Sequence, residues 1–294
     1  MTKFKDYAKD ELFDSLLYRE MARRTKNPEN KRILEEMAKQ EYGHYLFWKR
    51  YSGEVKLSSS DRIILKLLIL VSKLMGTVFT VKFLERHESE VVEEYKRVLE
   101  ERSIKEEDLE TLKKIIEEEE VHENYFVSQI DEFAIRHLGS IALGMADAII
   151  ELTGVHAGFI GFSGSSIVTG IAGLIVGISA SMSMAAASYL QAKQEKGKQP
   201  ILSALTTGLA YILTVITLAS PFFTIPSILY AFILSSILAF SILGFFSYYS
   251  SVIFDRKFLR DYLENVLLIM LIVVVGYFFG DFVKTFFGFK LPEI

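Results

Sequence analysis

Hydrophobic and polar positions divide this chain into two halves of different character. Up to about residue 136, apolar residues recur at helical spacing among charged ones, whereas the remainder is almost continuously apolar. The periodicity predicts four helices in the first half, over residues 3–25, 28–51, 62–102 and 105–136. Four helices with apolar stripes predict a bundle.

One stretch of the third helix, residues 62–83, is unusually apolar. Its polar positions recur at helical spacing among Ile, Leu, Val, Met and Phe: Arg62, Lys66, Lys73, Thr77 and Thr80. The lysines argue against a helix that crosses a membrane. Two interpretations stay open: an interfacial helix over about 62–76 that lies on a bilayer, and a helix buried in the bundle.

The second half of the chain predicts five membrane spans. Each apolar stretch is long enough to cross about 30 Å of hydrocarbon. We place the spans at about 138–162, 165–190, 201–220, 226–250 and 263–287. The fold class is therefore all-α, with a four-helix bundle over 1–136 and a five-span membrane domain over 137–294.

The uneven distribution of charged residues predicts how the chain is oriented across the membrane. Residues 1–136 hold 25 of the 33 Lys and Arg and 29 of the 37 Asp and Glu. Basic residues cluster in two connections, at 193–198 and 256–260, and the other two connections are uncharged. Positive-inside reasoning places both basic connections and the bundle in the cytoplasm of a prokaryotic cell, with the C-terminus outside.

Composition excludes several functions. The chain has no cysteine, which rules out disulfides, thiolate metal sites and iron–sulfur clusters, and leaves oxygen and imidazole ligands. Its net charge is −4, so it has no basic footprint for nucleic acid. The start of the chain is charged and lacks an apolar core, so we expect no signal peptide.

Two Glu-x-x-His motifs indicate a metal site in the bundle. Glu41 and His44 lie on the second predicted helix, and Glu119 and His122 lie on the fourth. Residues at i and i+3 share a helix face, so each pair can offer a carboxylate and an imidazole to one point. A two-metal bundle also needs Glu from the other two helices. The candidate ligands are Glu11, Glu41, His44, Glu85, Glu88, Glu119 and His122.

Residues 1–136 resemble the rubrerythrin branch of the ferritin-like superfamily. The resemblance rests on those two motifs, on Glu11 and on Glu85-x-x-Glu88, which follow that family's order. It implies a di-iron cofactor, with Glu41 and Glu119 bridging two ions and Glu85 exchangeable. The chain lacks the family's four-cysteine centre. Of the remaining acids in the charged helices, Glu20, Glu118 and Glu120 are expected to be bystanders.

Acidic residues within the first predicted span indicate a cation path. Asp147 and Glu151 lie at i and i+4 on one helix face. An unpaired charge within a membrane span costs free energy, so we interpret such residues as functional. His156 lies on another face. In the second span, Met182 and Met184 could supply thioether contacts, although methionine at helical spacing commonly packs. We expect Asp147, Glu151, Met182 and Met184 to line the path.

Residues 138–290 resemble the vacuolar iron transporter family, through the segments 144–147, 154–158 and 183–189. This chain has Ala187-Ser188 where the family usually has Gly-Glu, and it lacks the family's cytoplasmic metal-binding helices. The whole chain resembles fusions of a ferritin-like domain to such a transporter. The resemblance implies a homodimeric cation exporter that is coupled to protons.

Several functions remain open from the sequence alone. The leading hypothesis is export of Fe²⁺ or Mn²⁺ from the cytoplasm across the plasma membrane. The alternative is a membrane-anchored di-iron oxidase whose spans serve as an anchor or a quinone site. In either case one ligand set could capture metal, oxidise it as a ferroxidase, or sense it.

Overall fold

The computed structural model describes residues 2–85, 88–129 and 133–287, apart from the side chains of 2, 85, 88–90, 120–129 and 134. Every regular element in these residues is helical, as predicted for the fold class. The chain divides into two compact units, Met1–Ile135 and Arg136–Ile294.

The first unit begins with a helical hairpin, α1 (Thr2–Arg24) and α2 (Pro28–Ser52). The Asn27 side chain accepts hydrogen bonds from the backbone N–H groups of the next turn. Pro28 has no backbone N–H, but it begins α2 at a position where the helix has no acceptor for one. Gly53, with φ of 78°, ends it. The predicted bounds of both helices are confirmed to within about two residues.

The apolar stretch 62–83 divides into two helices, of which the first is largely exposed and the second is largely buried. α3 spans Ser59–Met75 and α4 spans Thr77–Glu85. Between them, Gly76 has φ of 95°, which strains any residue with a Cβ. Only Ile69 is buried in α3, whereas α4 buries most of its side chains in the bundle. The prediction of one continuous helix here was wrong, because the chain turns at this glycine.

The bundle is completed by α5 (Glu88–Glu100) and α6 (Leu109–Gln129), with the short α7 (Phe133–Arg136) beyond it. α6 is preceded by a 3₁₀ turn, Glu106–Asp108, rather than starting at 105. The buried carboxylate of Asp108 fixes this turn to α2. It pairs with Arg50 at 2.9 Å and accepts a hydrogen bond from the Tyr51 hydroxyl.

Aromatic side chains fill the bundle core. Trp48 is fully buried, with its ring centroid 4.8 Å from that of Tyr95 and 5.0 Å from that of Tyr7. Phe4 stacks on Trp48 at 5.6 Å. These rings join α1, α2 and α5, and large aromatic groups contribute heavily to core stability. The core therefore fixes α1 and α2, two of the helices that carry candidate metal ligands.

The second unit consists of five long helices. They are α8 (Leu138–Phe162), α9 (Ser166–Gln194), α10 (Pro200–Thr224), α11 (Ile228–Ile253) and α12 (Phe258–Phe287). All five are long and apolar enough to cross a membrane, by length and composition. α8 packs against each of the other four. The prediction of five apolar helices is confirmed, and the helix with two acids is the central one.

Glycines let α8 and α12 cross closely. A Cβ built on Gly280 would collide with the carbonyl oxygen of Gly158, and one on Gly276 would come within 2.7 Å of the carbonyl oxygen of Gly154. Small residues that allow such approach are typical of helix pairs in membranes. This close approach fixes the position of α12 against α8.

Candidate metal centre and acidic cleft

Four side chains from three helices meet inside the bundle. Glu11 comes from α1, Glu41 and His44 from α2, and Glu119 from α6, and one ligand atom from each lies within 4.8 Å of all the others. We call these four the carboxylate–histidine cluster. Its members are shielded from solvent: the exposed fractions of Glu11, Glu41 and His44 are 5%, 7% and 2%.

One imidazole nitrogen faces all three carboxylates. His44 Nδ1 lies 2.8 Å from Glu119 Oε1, 3.5 Å from Glu11 Oε2 and 3.5 Å from Glu41 Oε2. A single proton on this nitrogen cannot satisfy three anions. The cluster therefore carries more negative charge than its one basic group can balance.

The acid–base properties of the cluster follow from this imbalance. Burial, together with the negative charge of Glu119, raises the pKa of Glu41 well above its usual range. Burial would lower the pKa of His44, but the carboxylates of Glu11, Glu119 and Glu41 outweigh it and raise that pKa. The side chains thus retain protons that a metal ion would displace.

The donor set fits a divalent cation. Carboxylate oxygens with an imidazole are ligands that Fe²⁺ and Mn²⁺ accept, and a positive ion would offset the buried negative charge. Tyr95 on α5 adds support, because its hydroxyl donates a 2.5 Å hydrogen bond to Glu11 Oε1. Partners of this kind hold a ligating carboxylate in one orientation.

Three of the seven predicted ligands have side chains that lie outside the described residues. The side chains of Glu85, Glu88 and His122 are not among them, and neither is that of Glu120. The structure thus brings together Glu11, Glu41, His44 and Glu119, and the participation of the other three stays a prediction.

Sequence reasoning missed Glu118, which we had expected to be a bystander. Its Oε2 atom lies 3.1 Å from His44 Nε2, while Nδ1 of the same ring faces the cluster. A carboxylate on the outer nitrogen fixes the tautomer of a ligating histidine and increases its basicity. The run Glu117–Glu120 offered no signal that could distinguish this role.

We expect Glu118→Gln to weaken metal binding by about 10- to 100-fold without abolishing it, because loss of the outer partner leaves all four cluster ligands in place. Isothermal titration of the purified protein with Mn²⁺ measures the change. Glu117→Gln is the matched control, since that neighbouring side chain is exposed. Equal affinities of the two variants would contradict the assigned role of Glu118.

A second acidic feature lies in the second unit, among the five candidate membrane helices. Asp147 and Glu151 of α8 face α9 across an open cleft of about 690 Å³, which is also lined by Ser179, Ser183 and Met184. Glu151 accepts a hydrogen bond from the Tyr211 hydroxyl of α10. Within the described residues neither acid makes an ion pair. We call this feature the acidic cleft.

The two methionines predicted for the path lie in different places. Met184 lines the acidic cleft, but Met182 is 70% exposed and is not part of its lining. Two residues along a helix rotate by about 200°, so only one of the pair can face α8. The expected contribution of Met182 is therefore not found in this structure.

His156 lies apart from the acidic cleft. Its ring is fully buried, with its centroid 4.3 Å from that of Phe222, and Gly173 leaves the space that it fills. Neither ring nitrogen has a hydrogen-bond partner among the described residues. The sequence expectation that His156 and the two acids occupy different faces of the helix agrees with this arrangement.

Comparison with known proteins identifies the first unit. The family model of rubrerythrin matches residues 8–129, a range that contains the whole carboxylate–histidine cluster and both Glu-x-x-His motifs. No curated protein matches the chain. Residues 8–129 are therefore a rubrerythrin, or ferritin-like, domain, which implies iron binding, and this domain is followed by five candidate membrane helices.

Proposed function

We propose that the chain is a membrane transporter that exports Fe²⁺ or Mn²⁺ from the cytoplasm in exchange for protons, with the ferritin-like domain capturing the metal. The observation that carries the proposal is the acidic cleft. Asp147 and Glu151 are the only Asp, Glu, Lys or Arg residues in α8, the most central of five apolar helices. A membrane anchor has no need of two carboxylates there, whereas a cation path does.

Capture is assigned to the carboxylate–histidine cluster. Its buried carboxylates attract a divalent ion, and the protons that they hold are released when the ion binds. A bound ion would supply the positive charge that the cluster lacks. Glu11, Glu41, His44 and Glu119 would hold it, with Tyr95 and Glu118 orienting two of these ligands.

Proton exchange is assigned to the acidic cleft. A carboxylate in a low-dielectric span is stable when it meets a cation or takes up a proton. Two acids one helical turn apart can alternate between these states, so a divalent ion leaving the cleft is replaced by protons. Serine hydroxyls and the Met184 thioether supply further soft and neutral contacts along the same cleft.

The orientation expected from the basic connections supports the direction of export. Lys193, Lys196 and Lys198 are exposed in one connection, and Arg256 and Lys257 are exposed in another. The positive-inside tendency places both connections in the cytoplasm, together with the ferritin-like domain, at the plasma membrane of a prokaryote. The resemblance of residues 138–290 to vacuolar iron transporters supports this direction of transport. It also implies that the protein is a homodimer.

Flux through the purified full-length protein tests the proposal. In liposomes that contain a metal-sensitive dye and an outward proton gradient, we expect Mn²⁺ or anaerobic Fe²⁺ to enter faster than in empty liposomes. Metal entry should also drive proton exit. A protein that oxidises Fe²⁺ or reduces a quinone, but moves no metal, would instead support the membrane-anchored di-iron oxidase.

A further inference from the structure

Helix α3 presents an apolar face that the bundle does not cover. Five large side chains are exposed on it, with exposed fractions from 49% to 73%: Ile63, Ile64, Leu67, Leu70 and Leu74. We call this set the exposed apolar face. At 100° per residue these positions occupy about one third of the helix circumference. The opposite side, around Ile69 and Leu65, packs on the domain.

A row of cations borders the exposed apolar face. Arg62, Lys66 and Lys73 are exposed, and the helical rotation places them side by side along one edge of that face. None of them makes an ion pair with any described residue. Their charge is available to an anionic partner. An apolar face with a basic edge is the pattern of a helix that lies in a membrane interface.

The helix is held in a fixed position on the domain. Ser58 and Asp61 form a capping box at its start, with Asp61 Oδ2 accepting from the Ser58 backbone N–H at 2.9 Å. Lys9 of α1 pairs with Asp61 at 3.5 Å. Gly76 ends the helix and turns the chain into the buried α4. The exposed apolar face is therefore an ordered surface, not a fraying end.

We propose that the exposed apolar face of α3 docks onto an anionic lipid surface, with Arg62, Lys66 and Lys73 at the lipid phosphates. The bilayer is the favoured occupant because the same chain carries five candidate spans, the first of which begins at Leu138, soon after α6 ends at Gln129. A tethered surface is present at high effective concentration. Anionic lipid also matches the unpaired cations.

Docking of this kind deepens the proposed function, on whose membrane location it rests. It would keep the ferritin-like domain at the bilayer, so that metal released from the domain is released beside the membrane and not into bulk cytoplasm. Docking does not involve the acidic cleft. Docking can therefore be lost while transport remains, and transport can be lost while docking remains.

Site-specific fluorescence tests the inference, and the absence of native cysteine makes single labels unambiguous. Leu67→Cys carries an environment-sensitive dye on the exposed apolar face, in full-length protein reconstituted with nitroxide-labelled anionic lipid. Leu46→Cys on α2 is the matched control, at 46% exposure. Leu213→Cys on α10, 62% exposed, reports insertion of a candidate span.

We expect several-fold stronger quenching at Leu67→Cys than at Leu46→Cys. Neutralising the edge with Arg62→Gln, Lys66→Gln and Lys73→Gln should weaken docking on the order of a hundredfold, while leaving Mn²⁺ binding by the domain unchanged. Rescue of quenching is expected with Arg62→Lys, Lys66→Arg and Lys73→Arg, which keep the charges.

Three outcomes would overturn the inference. Quenching at Leu213→Cys without quenching at Leu67→Cys refutes docking and leaves the transport proposal standing. Rapid disulfide formation between two copies of Leu67→Cys, with the dye unquenched, assigns the face to a second copy of the chain. No quenching even at Leu213→Cys removes the membrane location and the transport proposal with it.

Discussion

Asp147→Asn is expected to lower metal flux by orders of magnitude while the protein still folds. Asp147 faces the acidic cleft and makes no ion pair with the described residues, so its charge contributes nothing to packing. Asn keeps the size of the side chain and removes both the negative charge and the site for a proton. Glu151→Gln should have a milder effect, because Gln can still accept the Tyr211 hydrogen bond and Asp147 remains.

The measurement is Mn²⁺ entry into liposomes, together with metal bound by the ferritin-like domain in the same preparation. Asp281→Asn is the control, since this acid lies on α12 and does not line the acidic cleft. Metal binding should be unchanged in all three variants. Normal transport by Asp147→Asn would show that the cation path does not run along α8.

Replacing Glu41 and Glu119 together by Gln should abolish metal binding by the carboxylate–histidine cluster and stabilise the metal-free domain. Both are buried carboxylates whose neighbours are negative, and burial raises the pKa of Glu41 well above its usual range. Without metal they are a source of instability. Replacing such mutually repelling carboxylates should raise the free energy of unfolding by about 0.5–2 kcal/mol per substitution, the range of common stabilising changes.

Metal content by elemental analysis measures the first effect, and unfolding without metal measures the second. The single tryptophan of the chain, Trp48, is buried in the bundle, so its fluorescence reports unfolding of that domain alone. Glu36→Gln on α2 is the control: its ion pair with Arg32 is exposed, and such pairs contribute little. Unchanged metal stoichiometry in the double variant would refute the cluster as the binding site.

The parts of the fold that the sequence predicted well depend on local physics. Pro28 and Gly53 bound α2 because of what proline and glycine do to a single turn, and the five spans follow from summed hydropathy. The pairing of Glu41 with His44 needs only the helical repeat. None of these features depends on which helices become neighbours.

The features that the sequence could not give depend on tertiary packing. A glycine within an apolar run is compatible with a continuous helix, and only the packing of α4 in the bundle makes Gly76 a turn. In the acidic run of α6, the rotation of the helix decides that Glu119 points inward and that Glu118 reaches the outer nitrogen of His44. The same reasoning applies to Met182 and Met184, since either could have faced α8.

The carboxylate–histidine cluster draws its members from near the start of the ferritin-like domain and from near its end, Glu11 and Glu119. An ion held by all of them would act as a cross-link that closes most of the domain into a loop. Loss of the ion removes this cross-link, which favours the unfolded state. It also leaves the negative charges of the carboxylates unbalanced in the interior. The resistance of this domain to unfolding, and hence to proteases, is thereby coupled to the supply of the metal that it handles.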